Sequence, residues 1–188
     1  MNKIPDTATL VFKGIAFDTY HWDQQMFDGS TATFEAIKKR DSATIIAVVG
    51  DSILVNDEEQ PGKDAFQALP GGVSEEGDSP LECAKRELLE ETGYASDDWQ
   101  QFMVTDPFHS SRIEWNNYFF IARNCIKVAE QKLDSGEKIT PRLVPFEEFL
   151  QWRHHPKARN LDIFPLLEQA SQDEGERKKL QELLFTTN

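Results

Sequence analysis

Cysteine is almost absent from this 188-residue chain: Cys83 and Cys125 are the only two. Two are too few for a disulfide framework, and they match no zinc-ligand spacing, so both are expected to be reduced thiols in or beside the core. Long apolar runs are missing too. The opening MNKIPDTATLVFKG holds no segment long enough for a signal peptide, and no later run approaches a membrane span, which leads to the expectation of a cytoplasmic protein without a membrane partner. Positive charge is scarce, with 20 Lys and Arg against 33 Asp and Glu and a formal net charge of −13. That balance argues against nucleic acid as a partner, because a polyphosphate backbone would be repelled. Any phosphate substrate must therefore arrive with, or meet, a divalent cation. Internal repeats and low-complexity tracts are absent as well. With 39% hydrophobic residues, the chain can bury one good core and needs no second independent domain.

What the chain does have is concentrated between Gly71 and Tyr94, GGVSEEGDSPLECAKRELLEETGY. Ser79 is a natural N-cap, Pro80 suits the first helical position and Glu82 completes a capping box, while Gly93 supplies a left-handed stop. The spacing predicts a helix from about Pro80 to about Thr92, with Leu81, Ala84 and Leu88 as its buried stripe. On it, residues three and four apart are neighbours, so Glu87 faces both Glu90 and Glu91. Three crowded carboxylates repel one another unless a cation answers them, and hard oxygen clusters suit Mg2+ or Mn2+. Arg86 reaches Glu82 or Glu90 at four-residue spacing and is expected to position carboxylates. Gly71, Gly72 and Gly77 permit close backbone approach, so a carbonyl near Gly71 is a further candidate ligand. A merely solvated acidic helix would account for the glutamates but not for the glycines and the arginine at their offsets.

Gly72, Arg86, Glu87, Leu88, Glu90, Glu91, Gly93 and Tyr94 together resemble the Nudix box, with Asp78 standing where the family usually has its first Glu. The resemblance implies an α+β fold, a Nudix-type α/β/α sandwich with a mixed β-sheet and an N-terminal β-meander extension. It also implies hydrolysis of a nucleoside diphosphate linked to another moiety, with water attacking phosphorus. Glu87 and Glu91 would be the principal Mg2+ ligands (Mn2+ the alternative), Glu90 a further or water-mediated one, and Gly71 a carbonyl ligand. Asp78 would brace the loop. The outline is similar to the ADP-ribose pyrophosphatase branch in Pro107 and in the segments YFFIARNC and LDSGEKITPRLVPFEEFL. There a late-loop glutamate assists as base, for which Glu137, then Asp134, stand in the corresponding stretch; an ordinary polar turn is the bland alternative. The branch often carries an arginine-rich segment before the box, where this chain has Asn56, Asp57, Glu58, Glu59 and Gln60. Lys63 and Arg112 are the candidate phosphate contacts and Trp115 a candidate base-stacking residue, weighed against plain surface charge and plain core. His109 is a lesser candidate; His154 and His155 read as surface. Residues 1–40 would form the extension, expected to pair two copies into a homodimer, and 41–188 the hydrolase domain. Alternatives are a house-cleaning hydrolase of nucleoside triphosphates or dinucleoside polyphosphates, and a non-catalytic nucleotide sensor.

Elsewhere, alternating segments around the turn-prone Phe27–Ser30 predict a meander, and Gly50-Asp51 between TIIAVV and Ile53–Val55 predicts a hairpin. Asn56–Lys63 reads as a polar loop. Strands are expected near Gln101–Val104, through Ile113–Ala122 and at Arg142–Val144. Helices are expected over Phe146–Trp152, Ile163–Ala170 and Glu176–Phe185.

Overall fold

The structure, a computed structural model, describes residues 3–186. Its first three strands, β1 (Thr9–Lys13), β2 (Phe17–Gln25) and β3 (Thr31–Lys39), form the predicted antiparallel meander. The turn after β2 is held by Asp28, whose Oδ1 accepts from the Ser30 amide at 2.9 Å, a local bond that makes Asp a turn former.

The hairpin β4 (Ser42–Val49) and β5 (Ser52–Glu59) follows, turning at Gly50, whose φ is +62°. Next come β6 (Phe66–Ala68), β7 (Gly71–Val73), helix α1 (Pro80–Thr92) and β8 (Tyr94–Ala95). Strands β9 (Asp98–Thr105), β10 (Ile113–Glu114), β11 (Asn117–Arg123), β12 (Ile126–Lys127) and β13 (Lys138–Pro145) lead to α2 (Phe146–Gln151), α3 (Phe164–Gln172) and α4 (Glu174–Phe185). The central sheet has the order β13-β5-β4-β11-β9 and is mixed, with β11 parallel to β4 and the other neighbours antiparallel.

The apolar run of β4 is buried on both faces, as expected of a central strand. Ile46 and Val48 enter a core with Phe149 and Leu150 of α2, Leu167 of α3 and Leu180 and Leu184 of α4. Ala43, Ile45 and Ala47 enter a second core with Cys83, Ala84 and Leu88 of α1. Helices thus cover both faces, which is the α/β/α sandwich. Both cysteines are free and buried, and burial pushes the Cys125 thiol up to about 12, so neither is a ready nucleophile. No helix among the described residues is long and apolar enough to cross a membrane.

Two expectations are corrected. Asn56–Glu59 is strand, not loop: β5 continues to Glu59, paired with β13 on one side and with β6 on the other. Its polarity misleads because one of its faces looks into a polar site rather than into apolar core. The single strand expected over Ile113–Ala122 is broken at Trp115–Asn116. Asp41 Oδ1 accepts from the Asn116 backbone amide and side chain at 3.0 and 3.2 Å. β10 there leaves the central sheet and joins β3 in parallel. One apolar run therefore serves two sheets and ties the meander to the sandwich.

At the far end of β11, Arg123 is 3% exposed. It donates to Asp98 Oδ1 at 3.2 Å and, through Nε, to the Leu183 carbonyl in the last turn of α4 at 3.0 Å. Arg123→Leu strands that carboxylate and carbonyl, so urea unfolding should show a loss of about 3 kcal/mol. A change below about 0.5 kcal/mol, the level of an ordinary surface substitution, would contradict this role for the guanidinium.

Candidate active site

The site lies where the β4–β5 hairpin opens. These strands pair only beside their turn, at Val48↔Ile53 and Val49↔Ser52. Farther on, β7 takes over the pairing with β4 and β6 the pairing with β5. The two glycines of β7 fit because nothing larger would. A Cβ on Gly71 would lie 2.2 Å from the Ala43 carbonyl oxygen, and one on Gly72 would lie 2.4 Å from the Glu87 carboxylate. The backbone can therefore run directly beneath the first turns of the box helix.

Helix α1 begins and ends as its sequence demands. Ser79 Oγ accepts from the Glu82 amide at 3.2 Å and Glu82 Oε2 accepts from the Ser79 amide at 2.8 Å, a closed capping box. Gly93, with φ +73°, donates its amide to the Leu89 carbonyl and stops the helix. Between these ends Leu88 is fully buried and rotates Glu91 toward the sheet.

Glu91 is only 4% exposed. Its Oε2 accepts from the Gly71 amide at 2.9 Å and from Asn56 Nδ2 at 3.1 Å. Burial, reinforced first by the charge of Glu58 and also by Glu87 and Glu137, raises its carboxyl well above the ordinary carboxylate range. Glu58, 6% exposed, is pushed up to about 7 by burial and by the charge of Glu137, against the opposing Asn56 amide and Lys63. Glu87 is raised chiefly by burial, with Arg86 acting in the opposite direction and Glu90 and Glu137 adding to the rise. The site thus draws carboxylates from helix α1, from β5 and from the loop before β13.

Arg86 organises the outer side of this group. Its Nη1 donates to Glu87 Oε1 at 2.8 Å and to Glu90 Oε2 at 3.2 Å, and its Nη2 to the Val73 carbonyl at 3.2 Å and Asp78 Oδ2 at 3.4 Å. Asp78 Oδ2 also accepts from the Glu75 amide at 3.1 Å, so the shorter acid still ties the loop to the helix. Glu90 is answered by Arg86 and, at 4.0 Å, by Lys132. Glu91 and Glu58 have no such ion pair among the described residues.

Other sequence candidates fall in different places. Glu137 accepts from the Asp134 amide at 3.3 Å, and its charge acts on Glu58, Glu87 and Glu91; it faces the cluster. Lys63 donates to Gln60 Oε1 at 2.6 Å and lies near enough to Glu58 to favour its ionised form. Trp115 donates Nε1 to Ser42 Oγ at 3.0 Å and carries the Lys39 ammonium 3.8 Å from its ring centroid. Arg112 stacks at 5.5 Å on Phe34 and reaches the Glu35 carbonyl at 3.4 Å, so it belongs to the meander and not to the carboxylate group. His154 and His155 are exposed. Sequence reasoning missed Asn56 and Glu58. Their signal was the alternation continuing from Ile53-Leu54-Val55, which puts residues 54, 56 and 58 on one face.

The donor set fits a hard divalent cation: buried carboxylates on one side of the opened hairpin, and an Asn56 Oδ1 that is buried with no hydrogen-bond partner among the described residues. No three His, Cys, Asp or Glu side chains among those residues already converge tightly enough to hold an ion, so the fit rests on the chemistry of the donors.

A pH dependence follows. The raised carboxyls hold protons in the folded state that the unfolded chain has released, so their stabilising contribution is full below about pH 4.5, the ordinary value. It is lost as pH rises through about 7 for Glu58, and Glu91, raised well above the ordinary range by burial, contributes in the same direction. In chelator, the melting temperature should fall between pH 5 and 8, and fall less in Glu58→Gln. Equal pH slopes for the two proteins would refute the placement of Glu58.

Comparisons with known proteins show the family. A profile of the NUDIX domain matches residues 38–163. The chain is similar to the ADP-ribose pyrophosphatase of Bacillus subtilis (strain 168), 29% identical over 147 residues that cover 75% of this chain and 77% of the relative. It is also similar to the methanol dehydrogenase activator of Bacillus methanolicus, 24% identical over 161 residues, 81% of this chain and 85% of the relative. Its fold matches a crystal structure described as an ADP compounds hydrolase with a TM-score of 0.70 and 16% identity, covering 93% of this chain and 91% of that one. Nudix hydrolases generally use divalent metal ions, which accords with the donor set. By a domain match that spans more than half of its length, this chain belongs to the Nudix family and is a Nudix hydrolase.

Proposed function

We propose that the protein is a Mg2+-dependent pyrophosphohydrolase that cleaves the diphosphate of a nucleoside diphosphate derivative, ADP-ribose or another nucleotide sugar, into two monophosphates. The observation that carries the reading is the buried pair Glu91 and Glu58, without an ion-pair partner among the described residues, gathered with the half-buried Glu87 and with Glu137. Its support is the ADP-ribose pyrophosphatase activity in the name of one relative.

Glu87 and Glu91, with Glu90 and the Gly71 carbonyl, would hold Mg2+ or Mn2+. Bound there, the ion would supply charge neutralisation of the diphosphate and acidify a water. The chain's own groups do the rest. Gly71 N–H and Asn56 Nδ2 orient the Glu91 carboxylate by holding its Oε2. Arg86 clamps Glu87 and Glu90 in one rotamer each, lowering the ordering cost at binding. Glu137 takes the proton of the attacking water at Oε1, since its Oε2 is engaged by the Asp134 amide. Lys63 would meet phosphate, and Trp115 would stack on a base by giving up its contact with Lys39. Arg112 would contribute only from the meander side.

A second reading, cleavage of nucleoside triphosphates or dinucleoside polyphosphates, is favoured by one observation: β5 presents Asp57, Glu58 and Glu59 instead of arginines. A longer phosphate chain brings more cations and tolerates that acidity. The extension, residues 1–40, is proposed to pair two copies. β1 is an edge strand exposed along its whole length, with Leu10 at 44%, Val11 at 49% and Phe12 at 63%, and such edges are usually covered.

Release of phosphorylated products from a panel of nucleotide sugars, triphosphates and dinucleotides, with and without Mg2+, tests the reading; turnover that is indifferent to chelator would end it. Glu91→Gln should lower kcat on the order of 10²- to 10⁴-fold. It should also leave the metal-free melting temperature equal or higher at pH 8, because the amide of Gln has no charge to desolvate and its two donors keep an acceptor. Loss of both activity and stability would mean Glu91 is structural. In light scattering the wild type is expected as a dimer and Phe12→Asp as a monomer; a monomeric wild type excludes pairing through the extension.

A further inference from the structure

Asn56 and Glu58 lie outside the box, and neither has an obvious structural purpose. Asn56 is fully buried. Its Nδ2 is spent on Glu91 Oε2 at 3.1 Å, while its Oδ1 has no partner among the described residues. A buried amide oxygen left without a partner is costly. Residues two apart on a strand share a face, so Glu58 stands beside this amide on the side of β5 that looks at α1. There it adds a second buried carboxylate opposite Glu91, where a core would favour an apolar residue. Neutral amide oxygen and carboxylate oxygen are both donors of the kind that hard divalent cations prefer.

We propose that β5 forms a second wall of the cation site, in which Asn56 Oδ1 and the Glu58 carboxylate bind a divalent cation together with Glu91, and that they do so before any nucleotide arrives. The inference rests on the metal-dependent reading above and extends it to ligands that the box helix does not carry. It gives the acidity of β5 a consequence. Without a cation, the walls of the site offer a diphosphate mostly carboxyl oxygens, which cannot answer its charge, so the cation binds first and the nucleotide second. Lys63 beside Glu58 then faces a site whose net charge the cation has reduced.

The test is Mn2+ binding to the full chain without nucleotide, followed by the electron paramagnetic resonance signal of free Mn2+ at pH 8. Wild type should bind, and Glu58→Gln should weaken binding about ten-fold or more. Asn56→Leu should do the same, while Asn56→Asp, which keeps an oxygen in place, should retain it. Glu59→Gln, an equal loss of charge one residue on and on the opposite face, should stay within about two-fold of wild type, which separates ligation from bulk electrostatics. Melting curves in chelator check that each variant is folded; should Asn56→Leu not fold, Glu58→Gln and Asn56→Asp decide the matter. Wild-type affinity in Glu58→Gln together with weakened binding in Glu87→Gln would overturn the second wall and leave the box site standing. Absence of Mn2+ binding to wild type would overturn the second wall as well. Unchanged affinity in both Glu58→Gln and Glu87→Gln would overturn the metal-dependent reading itself.

Discussion

Everything in this molecule is arranged around the burial of Glu91. A carboxylate at 4% exposure is among the most costly things a small fold can enclose, and two hydrogen bonds from Gly71 and Asn56 offset only part of that cost. The cost explains the local architecture. The hairpin must open to admit a polar group over the sheet, β6 and β7 must fill the opening with backbone donors, and the helix must approach closely enough for its side chain to reach them. An apolar residue at this position would make a better core and remove the carboxyl that the proposed chemistry needs.

The glycines and Arg86 are consequences of the same constraint. Gly72 is where the Glu87 carboxylate lies against main chain, with no room for a Cβ, so helix and strand share a contact that only glycine allows. Arg86 supplies the positive charge that Glu87 and Glu90 need while Glu91 and Glu58 have no ion pair among the described residues. Neutralising the outer carboxylates and leaving the inner ones unmatched divides the cluster into a fixed frame and a receptive interior. Nearby Asp78 performs the bracing expected of a longer acid because the guanidinium extends to it.

Much of this was legible in the residues themselves. The helix boundaries followed from Ser79, Pro80, Glu82 and Gly93, because capping is a local interaction between groups a few residues apart. The meander turn at Asp28 and the hairpin at Gly50 were readable for the same reason. Two segments were not. The NDEEQ stretch looks like loop by polarity, and its strand character comes from pairing with β6 and β13, the latter some 80 residues away in the chain. The break at Trp115–Asn116 depends on Asp41 reaching across from the start of β4, and nothing in the local alternation signals it.

The sequence by itself determined the box helix, its caps, the crowding of three glutamates on it and the acidity that demands a counter-ion, because each depends on residues within one or two turns of one another. Tertiary structure alone decided which carboxylates are gathered and buried at the proposed site. It set Glu90 apart with Arg86 and Lys132, buried Glu91, brought Glu58 and Asn56 in from β5 and Glu137 from a late loop, and left Arg112 in the meander. The physical reason is that the protonation and the receptiveness of a carboxylate are set by desolvation and by charges from other elements. Those quantities exist only once distant strands have been packed against the helix.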